Sequence, residues 1–547
     1  MTIADTATSS GAITFERSPD VLRHWRVELA PPVATISMMV DPTGGLIGDY
    51  ELKLNSYDIG VDIELAAIIR RLRFEHPEIA CVVLDSAVDG VFCAGANIRM
   101  LAGADHAHKV NFCKFTNETR LEIEEASSRS GLRFLAAVNG ACSGGGYELA
   151  MACDHIILVD DRSSAVSLPE VPLLGVLPGT GGLTRLTDKR KVRRDHADVF
   201  ATRAEGVQGE EAVRWRLVDE VAPPSGFDEA VAARAQALAA TSDRNATATP
   251  VTLDALDRVI TDEAVTYRYV QATLDRPGAT VSITVTASPD ADWPLRTARE
   301  LDDLLCHLRF NEPTLGTLVI STRGAIGDVL AHDAALSAPE GHAQRETALL
   351  WARVLSRLDL TARSIITTVD PGSCFAGVLA ELALAADRTY MLDGIFEDDE
   401  DPLPAAEIVL TATNTGPMPM ANGLTRLESR LWGHDHLVAA ATARSGDRLD
   451  AATAAELELV TSTPDDLDWE DEVRLAIEER ASYSPDALTG MEANHRFCGP
   501  ETMATKIFSR LSAWQNWIFI RPNASGPDGA LRRYGTGSRA DFDRRRT

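Results

Sequence analysis

The 547-residue chain has the composition of a globular protein and a strong excess of acidic residues. Hydrophobic residues make up 45% of the chain and charged residues 24%, proportions that exclude a largely disordered chain or a membrane protein. The net charge of −28 at pH 7 argues against broad binding to nucleic acid or to anionic membranes. A chain of this length is expected to form three or four domains.

Cysteine usage and the N-terminal sequence predict a cytoplasmic protein. The eight cysteines are scattered and form no Cys-x-x-Cys pair, a pattern typical of reduced thiols in the cytoplasm. The N-terminal stretch has no basic start followed by an apolar run, so we expect no signal peptide. No uninterrupted apolar run approaches the ~18–20 residues that a membrane-spanning helix needs.

A weak internal repeat indicates two related halves. LRFEHPEIACVVLDS (Leu72–Ser86) matches LRFNEPTLGTLVIST (Leu308–Thr322), and GLTRL occurs at both Gly182–Leu186 and Gly423–Leu427. Two further pairs of similar blocks follow the same order at similar offsets. Four ordered matches are a sign of duplication within the chain.

The two halves, at roughly 20–240 and 265–465, alternate predicted strands and helices. Apolar β-branched runs such as ATISMMV and ACVVLD are typical of strands, whereas Ile63–Phe74 has the apolar spacing of one helical face. This alternation predicts an α/β architecture. Two further helical patterns precede a tail ending in Arg544–Arg546, which we interpret as solvated.

A glycine-rich turn is the most informative stretch of the chain. A predicted strand ends at Val138, Gly144-Gly145-Gly146 follow, and a helix is predicted to begin near Tyr147. Glycines let the backbone approach a ligand closely, and a helix N-terminus offers unpaired N–H groups. The turn therefore suits an oxyanion or a polarised carbonyl, with a tight turn that binds nothing as the alternative.

Two other stretches add candidate groups. Val91–Met100 lies between a predicted strand and a helix, and its backbone at Ala96 could supply a second donor. Glu148 and Glu170 each lie in an otherwise apolar segment. Burial and mutual repulsion would raise the pKa of one carboxyl, which suits acid–base catalysis; the alternative is that each glutamate caps a helix or pairs with an arginine.

These stretches, in this order, resemble the crotonase (enoyl-CoA hydratase/isomerase) superfamily. The matching motifs are FCAGANI, AAVNGACSGGGYELAMACD and PEVPLLGVLPGTGGLTRL, together with the upstream LKLNS, and the match covers roughly Ala30–Val221. The resemblance implies two crotonase-like (ββα spiral) domains in tandem. We place the catalytic domain at 1–250, a degenerate copy at 265–465, and C-terminal helices with a tail at 466–547.

The resemblance also implies roles for single residues. The backbone N–H groups of Ala96 and Gly145 would polarise a thioester carbonyl, and Glu148 and Glu170 would form the acid–base pair. The implied substrate-binding residues lie in the same motifs, with Asn97 in place of the usual aspartate; they are Leu54, Ala96, Asn97, Ile98, Arg99, Gly144 and Gly145. Coenzyme A would be part of the substrate, and no metal or redox cofactor is implied.

The segment between Met100 and Leu132 is where relatives shape the acyl pocket. Phe112, Cys113, Phe115 and Asn117 could fit an aromatic ring, with helix packing as the alternative.

The second half departs from the family pattern. CFAGVL (Cys374–Leu379) replaces the triple glycine, Glu381 aligns with Glu148, and Glu407 is the nearest candidate for a partner of Glu170. We therefore expect the second half of the chain to have a structural role and to favour assembly into a homodimer.

Length and the two-copy plan narrow the resemblance to a ring-opening branch of the family. The implied reactants are 2,3-epoxybenzoyl-CoA and water. The alternatives are a 2-enoyl-CoA hydratase with a fused structural domain and a non-catalytic acyl-CoA-binding protein.

Overall fold

The computed structural model describes residues 12–17, 21–397 and 400–547. The chain divides into two compact units, Met1–Ala255 and Leu256–Thr547. The second unit thus contains both the predicted 265–465 domain and the 466–547 segment, and the functional division into three domains stays a prediction. Among the described residues, none of the helices combines the length and apolarity needed to span a bilayer.

The first unit is built on two β-sheets. A six-stranded sheet has the order β1-β2-β3-β5-β7-β9, and a three-stranded sheet has the order β4-β6-β8. Only β1 and β2 pair in antiparallel fashion; the other pairs are parallel. The strands are β1 Trp25–Ala30, β2 Val33–Met38, β3 Cys81–Ser86, β4 Gly90–Cys93, β5 Arg133–Val138, β6 Gly140–Ser143, β7 His155–Val159, β8 Val166–Ser167 and β9 Glu220–Ala222.

Helices connect the parallel strands of this unit, as parallel pairing requires. They are α1 Ile59–Phe74, α2 Ile98–Gly103, α3 His106–Ser130, α4 Gly145–Ala152, α5 Gly182–Thr184, α6 Arg194–Thr202, α7 Gly209–Arg214 and α8 Phe227–Ala239, with π-helical turns at Glu170–Leu174 and Arg185–Lys189 and a 3-10 turn at Pro224–Gly226.

Local sequence explains where the main helices begin and end. Asp58 caps α1 by accepting a hydrogen bond from the Gly60 N–H at 2.8 Å, and Asp105 caps α3. α3 ends at Gly131, whose φ of 72° is the left-handed conformation that glycine favours. Alternate residues of β3, β5 and β7 face α8 and form a buried core with it, as the period of two along a strand predicts.

The second unit has one seven-stranded sheet, in the order β10-β11-β12-β13-β14-β15-β16. From β12 onward its pairing pattern repeats that of the first unit, with an antiparallel pair followed by parallel neighbours. The strands are β10 Val259–Ile260, β11 Ala264–Thr266, β12 Val270–Asp275, β13 Thr280–Thr286, β14 Thr317–Arg323, β15 Ser364–Val369 and β16 Arg388–Met391.

Helices cover this second sheet as well. α16 packs against β15 and β16 through Trp469 and Ala476, as α8 packs on the first sheet. The helices are α9 Trp293–Asn311, α10 Ile326–Ser337, α11 His342–Asp359, α12 Gly377–Ala385, α13 Arg426–Arg430, α14 Asp435–Ala443, α15 Ala451–Glu456, α16 Trp469–Ser482, α17 Pro485–Arg496, α18 Met503–Thr505, α19 Ser512–Ile520, α20 Pro522–Ser525 and α21 Ala530–Arg533, with a 3-10 turn at Ala412–Thr415 and a π-helical turn at Lys506–Leu511. The predicted α/β class is confirmed.

The interpretation of the arginine tail as solvated is wrong for Arg546. Its side chain is 3% exposed, and its guanidinium donates to the Ala362 carbonyl at 2.8 Å and to Glu492 at 3.3 Å. Burial of the charge is supported because its donors find acceptors. These acceptors lie far from Arg546 along the chain, so no local pattern predicts them.

Candidate active site

The predicted glycine turn lies between β6 and α4, and its glycines are required by close contacts. Gly144 has a φ of 53°, and a Cβ atom there would lie 2.6 Å from Oε1 of Glu170. A Cβ atom at Gly145 would collide with the Tyr57 hydroxyl, and one at Gly146 would lie 2.5 Å from the Cys93 carbonyl oxygen. The turn thus brings bare backbone against a carboxylate and a hydroxyl.

The Ala96 loop adjoins this turn. Tyr57 donates its N–H to the Gly95 carbonyl at 3.0 Å and accepts from the Asn97 N–H at 2.9 Å, so that Tyr57 and Ala96 form a parallel bridge. Because successive peptide groups alternate in direction, the Ala96 N–H points away from Tyr57. A Cβ atom at Gly95 would lie 2.8 Å from the Gly145 nitrogen.

The structure therefore brings the two predicted donors, Ala96 and Gly145, together. Among the described residues, neither N–H donates to a backbone carbonyl. Two free donors on adjoining loops are the arrangement that holds a carbonyl oxygen as negative charge develops on it.

Glu148 lies in the first turn of α4 and is 2% exposed. Its Oε1 accepts from the Thr180 N–H at 3.0 Å and the Gly182 N–H at 2.7 Å, and its Oε2 accepts from the Thr180 hydroxyl. Burial raises the pKa of Glu148, although these hydrogen bonds and the Arg120 charge oppose the shift. Its carboxylate is thus held in one orientation by the loop before α5.

Glu170 is the first residue of a π-helical turn, a feature common at functional sites. Its side chain is half-buried, and within the described structure its Oε2 has no hydrogen-bond partner. Burial raises the pKa of Glu170 to about 7, and the negative charge of Glu148 adds to the shift. The carboxyl can therefore gain or lose a proton near neutral pH.

The other predicted substrate-binding residues divide into exposed and internal groups. Leu54 and Ile98 are 61% and 57% exposed, and Arg99 is exposed as well. Asn97 is buried, and its side-chain oxygen caps α2 by accepting a hydrogen bond from the Met100 N–H. Its side-chain amide donates to the Glu51 carbonyl at 2.8 Å and to the Ser56 hydroxyl at 3.0 Å. The Asn97 side chain thus shapes the loop, while the exposed three can reach a ligand.

The predicted aromatic-pocket residues are also divided. Phe112 is buried with its ring centroid 5.9 Å from that of Tyr57, and Phe115 is 5% exposed. Asn117 donates its amide to the Gly179 carbonyl at 3.0 Å. Burial raises the pKa of the half-buried Cys113 thiol to about 11, with Glu148 adding to the shift. Cys113 and Asn117 thus border the loop that holds Glu148.

Sequence reasoning missed three residues of the site: Tyr57, Arg120 and Thr180. Arg120 on α3 is 1% exposed and forms an ion pair with Asp62 on α1. Its guanidinium lies 5.4 Å from the centroid of the Tyr57 ring. Thr180 stands inside a recognised motif, but its role depends on a contact with Glu148, 32 residues earlier. The local signal for the Arg120 ion pair was Asp62, a carboxylate near the start of the helix that carries the apolar spacing.

The second unit carries a different arrangement around Glu381. This residue lies on α12 and is 2% exposed. Its carboxylate accepts from Arg426 at 2.9 Å and from the Asn414 amide at 2.7 Å. Arg426 also pairs with Asp359 at 2.6 Å. Glu407, the candidate partner, instead pairs with Arg448 at 2.5 Å.

The described ranges contain no group of three or more His, Cys, Asp or Glu side chains able to hold a metal ion.

The chain is similar in sequence to known proteins. The profile of the Enoyl-CoA hydratase/isomerase family matches residues 52–277. The chain is 53% identical over 547 residues to the benzoyl-CoA-dihydrodiol lyase of Aromatoleum evansii, with 97% of each protein covered.

Two solved enoyl-CoA hydratases are also similar. That of Geobacillus kaustophilus HTA426 is 32% identical, with 40% of this chain and 75% of that chain covered and a TM-score of 0.35. That of Bacillus anthracis is 27% identical, with 40% and 76% covered and a TM-score of 0.34.

Proposed function

The chain belongs to the crotonase (enoyl-CoA hydratase/isomerase) family, and from that membership we propose that it is a lyase that opens the ring of 2,3-epoxybenzoyl-CoA. The products would be 3,4-dehydroadipyl-CoA semialdehyde and formate, as expected in aerobic benzoate degradation. Identity of 53% with the Aromatoleum evansii lyase over nearly the whole of both chains carries this proposal. The dihydrodiol in that relative's name is the same epoxide after addition of one water.

The thioester carbonyl would bind between Ala96 and Gly145. Their free N–H groups, on adjoining loops, would stabilise negative charge on the carbonyl oxygen as the ring gains electron density. Because fixed backbone dipoles need no reorganisation during the reaction, such donors contribute strongly to rate. The acyl-CoA substrate requires no separate cofactor, because coenzyme A arrives with the acyl group.

We assign different duties to the two glutamates. Glu170 has an unpartnered Oε2 and a pKa of about 7. Its carboxyl would therefore donate a proton to the substrate, or accept one from it, near neutral pH. Glu148, held by Thr180 and Gly182, would orient water and take up protons as the ring opens. Conversion of the epoxide to the semialdehyde and formate consumes two molecules of water, and the two carboxylates would activate them.

We also propose that the second unit is a diverged copy of the first. The repeated strand pairing, the similar packing of α8 and α16 and the alignment of Glu381 with Glu148 support this proposal. Glu381 pairs with Arg426, so the carboxylate is committed to an ion pair. A structural role in a cytoplasmic homodimer would suit a unit of this kind.

The proposal is tested by offering the purified protein enzymatically generated 2,3-epoxybenzoyl-CoA and following formate and the acyl-CoA product by mass spectrometry. Crotonyl-CoA runs in parallel, and Glu148→Gln is the matched variant. We expect formate release by the wild type, little hydration of crotonyl-CoA, and far lower turnover by the variant. Brisk crotonyl-CoA hydration without formate would instead establish a 2-enoyl-CoA hydratase, and acyl-CoA binding without any turnover a binding protein.

A further inference from the structure

The Tyr57 hydroxyl is a buried polar group that the mechanism above does not use. Tyr57 is 1% exposed, and within the described residues its hydroxyl oxygen has no hydrogen-bond partner. A buried hydroxyl without a partner costs on the order of 1–3 kcal/mol. Such groups are rare in folded proteins and call for an explanation. A ligand that accepts the hydrogen bond would supply one.

Tyr57 contacts both loops that carry the oxyanion donors. Its main chain bridges the Ala96 loop through hydrogen bonds of 3.0 and 2.9 Å. Its hydroxyl lies so close to Gly145 that a Cβ atom there would collide with it. The hydroxyl therefore stands beside the place where an oxygen bound to the two N–H groups would lie.

The ring of Tyr57 is fixed from its other sides. Phe112 packs against it with a centroid separation of 5.9 Å, and the Arg120 guanidinium lies 5.4 Å from its centroid. Arg120 is itself held by the buried carboxylate of Asp62. A hydroxyl with so little freedom is pre-organised, which is what a donor to a transient charge needs.

The hydroxyl also remains a donor at working pH. Burial raises the pKa of Tyr57 well above its usual range, against the opposing effect of the Arg120 charge. The group therefore stays protonated and can donate to a negative oxygen.

We propose that the Tyr57 hydroxyl is a third hydrogen-bond donor to the acyl oxygen, acting beside the N–H groups of Ala96 and Gly145. The inference rests on the proposed function, because it assumes an acyl thioester in this site. It makes Tyr57 a catalytic residue: its hydroxyl touches the oxygen on which charge develops, while its main chain holds one of the two loops.

The test uses benzoyl-CoA labelled with ¹³C at the carbonyl, a ligand that has no epoxide and does not react. Difference infrared spectra of the complex with full-length protein report how strongly the carbonyl is polarised. We expect a clear shift to lower frequency with the wild type and a smaller shift with Tyr57→Phe. The variant should also lose on the order of 100-fold in kcat on 2,3-epoxybenzoyl-CoA, with a much smaller change in KM.

Tyr147→Phe is the matched control. Tyr147 is fully buried, and its hydroxyl donates to the Leu217 carbonyl at 2.7 Å. Its loss should lower the Tm but leave the carbonyl shift unchanged. Tyr57→Phe should keep the wild-type Tm, because no protein partner is lost.

Each remaining outcome decides the matter. A full carbonyl shift in Tyr57→Phe, with the wild type active, would overturn this inference and leave the proposed function intact. A Tm loss in Tyr57→Phe as large as that in Tyr147→Phe would mean that the hydroxyl serves the fold, and would also overturn it. If the wild type neither shifts the carbonyl nor releases formate, the proposed function fails and the inference falls with it.

Discussion

Glu148 and Glu170 are the same residue type in two different environments. Glu148 is held by three donors from one loop, whereas Oε2 of Glu170 is buried without a partner among the described residues. Burial raises the pKa of both carboxyls, and the hydrogen bonds from Thr180 and Gly182 oppose the rise only in Glu148. The two carboxyls can therefore hold different protonation states at the same pH.

Replacing Glu170 by Gln should change stability in a pH-dependent way. The pKa of Glu170 is raised from 4.5 to about 7, so the folded protein keeps a proton that the unfolded chain releases between these values. The stability due to this proton is present below pH 4.5 and is lost as pH rises to 7. Thermal unfolding should show that Glu170→Gln raises the Tm relative to the wild type at pH 8 but not at pH 4.

Glu229→Gln makes the same charge change on the exposed side of α8 and serves as the control. Its Tm difference from the wild type should not vary between these pH values in the same direction. If the Tm of both variants changed equally with pH, the change could not be assigned to burial of the Glu170 carboxylate, and this prediction would be contradicted.

The sequence identified the candidate site residues, but it did not identify the residues that hydrogen-bond to them. Glu148, Glu170, Ala96 and Gly145 were all predicted as candidates, and the structure brings them into one site, although their roles stay predictions. Thr180 was not predicted, because its contact with Glu148 joins residues 32 positions apart and leaves no periodic signal. The Asn97 side chain caps α2 and joins its loop to Glu51 and Ser56 before α1, and its predicted role in substrate binding stays a prediction.

The turn between β6 and α4 works because its glycines leave room for neighbouring groups. Gly144 adopts a positive φ, and Gly145 lies directly against the Tyr57 hydroxyl. The start of α4 and the Ala96 loop can thus approach each other with their N–H groups free.

Gly145→Ala should disrupt this approach. The added Cβ must displace Tyr57 or the turn, and misplacement by a fraction of an ångström weakens a pre-organised donor. We expect a loss of roughly 100-fold in kcat, measured by formate release. Gly103→Ala on α2 is the control, because outside its own helix no atom lies within 4 Å of the added Cβ. Comparable losses in both variants would contradict this account of the turn.

Elements with strong local patterns were predictable. The apolar spacing of Ile63–Phe74 corresponds to most of α1, and the runs ATISMMV and ACVVLD cover all but one residue of β2 and of β3. The π-helical turn at Glu170 and the burial of Arg546 were not foreseen. The burial of Arg546 depends on acceptors in distant segments, which local composition does not encode.

At the scale of the whole molecule, the two units share strand pairing but use their aligned glutamates differently. In the first unit the carboxylate of Glu148 accepts hydrogen bonds from neutral donors. In the second, Glu381 and Asp359 share the single buried guanidinium of Arg426. The carboxylate of Glu381 is thus paired with a cation, whereas that of Glu148 is held by uncharged donors.

Arg426→Met should therefore destabilise the protein without entering the chemistry. Removal of the cation leaves Glu381 and Asp359 buried and unpaired, at a cost of about 3–5 kcal/mol. Urea unfolding should show this loss, while kcat per folded molecule stays at the wild-type value. Arg474→Met on the exposed side of α16 is the control and should cost little. A fall in kcat with unchanged stability would contradict a structural role.

The shared guanidinium of Arg426 also constrains how this protein can evolve. Loss of the arginine strands two acids, and loss of either acid weakens the compensation of a cation that is itself 1% exposed. Each single substitution is expected to lower the stability of the fold. Replacement of all three residues at once by apolar side chains of similar volume need not lower it. Among proteins that share an ancestor with this chain, positions 359, 381 and 426 should therefore change together or not at all. Substitutions at these three positions should be correlated rather than independent.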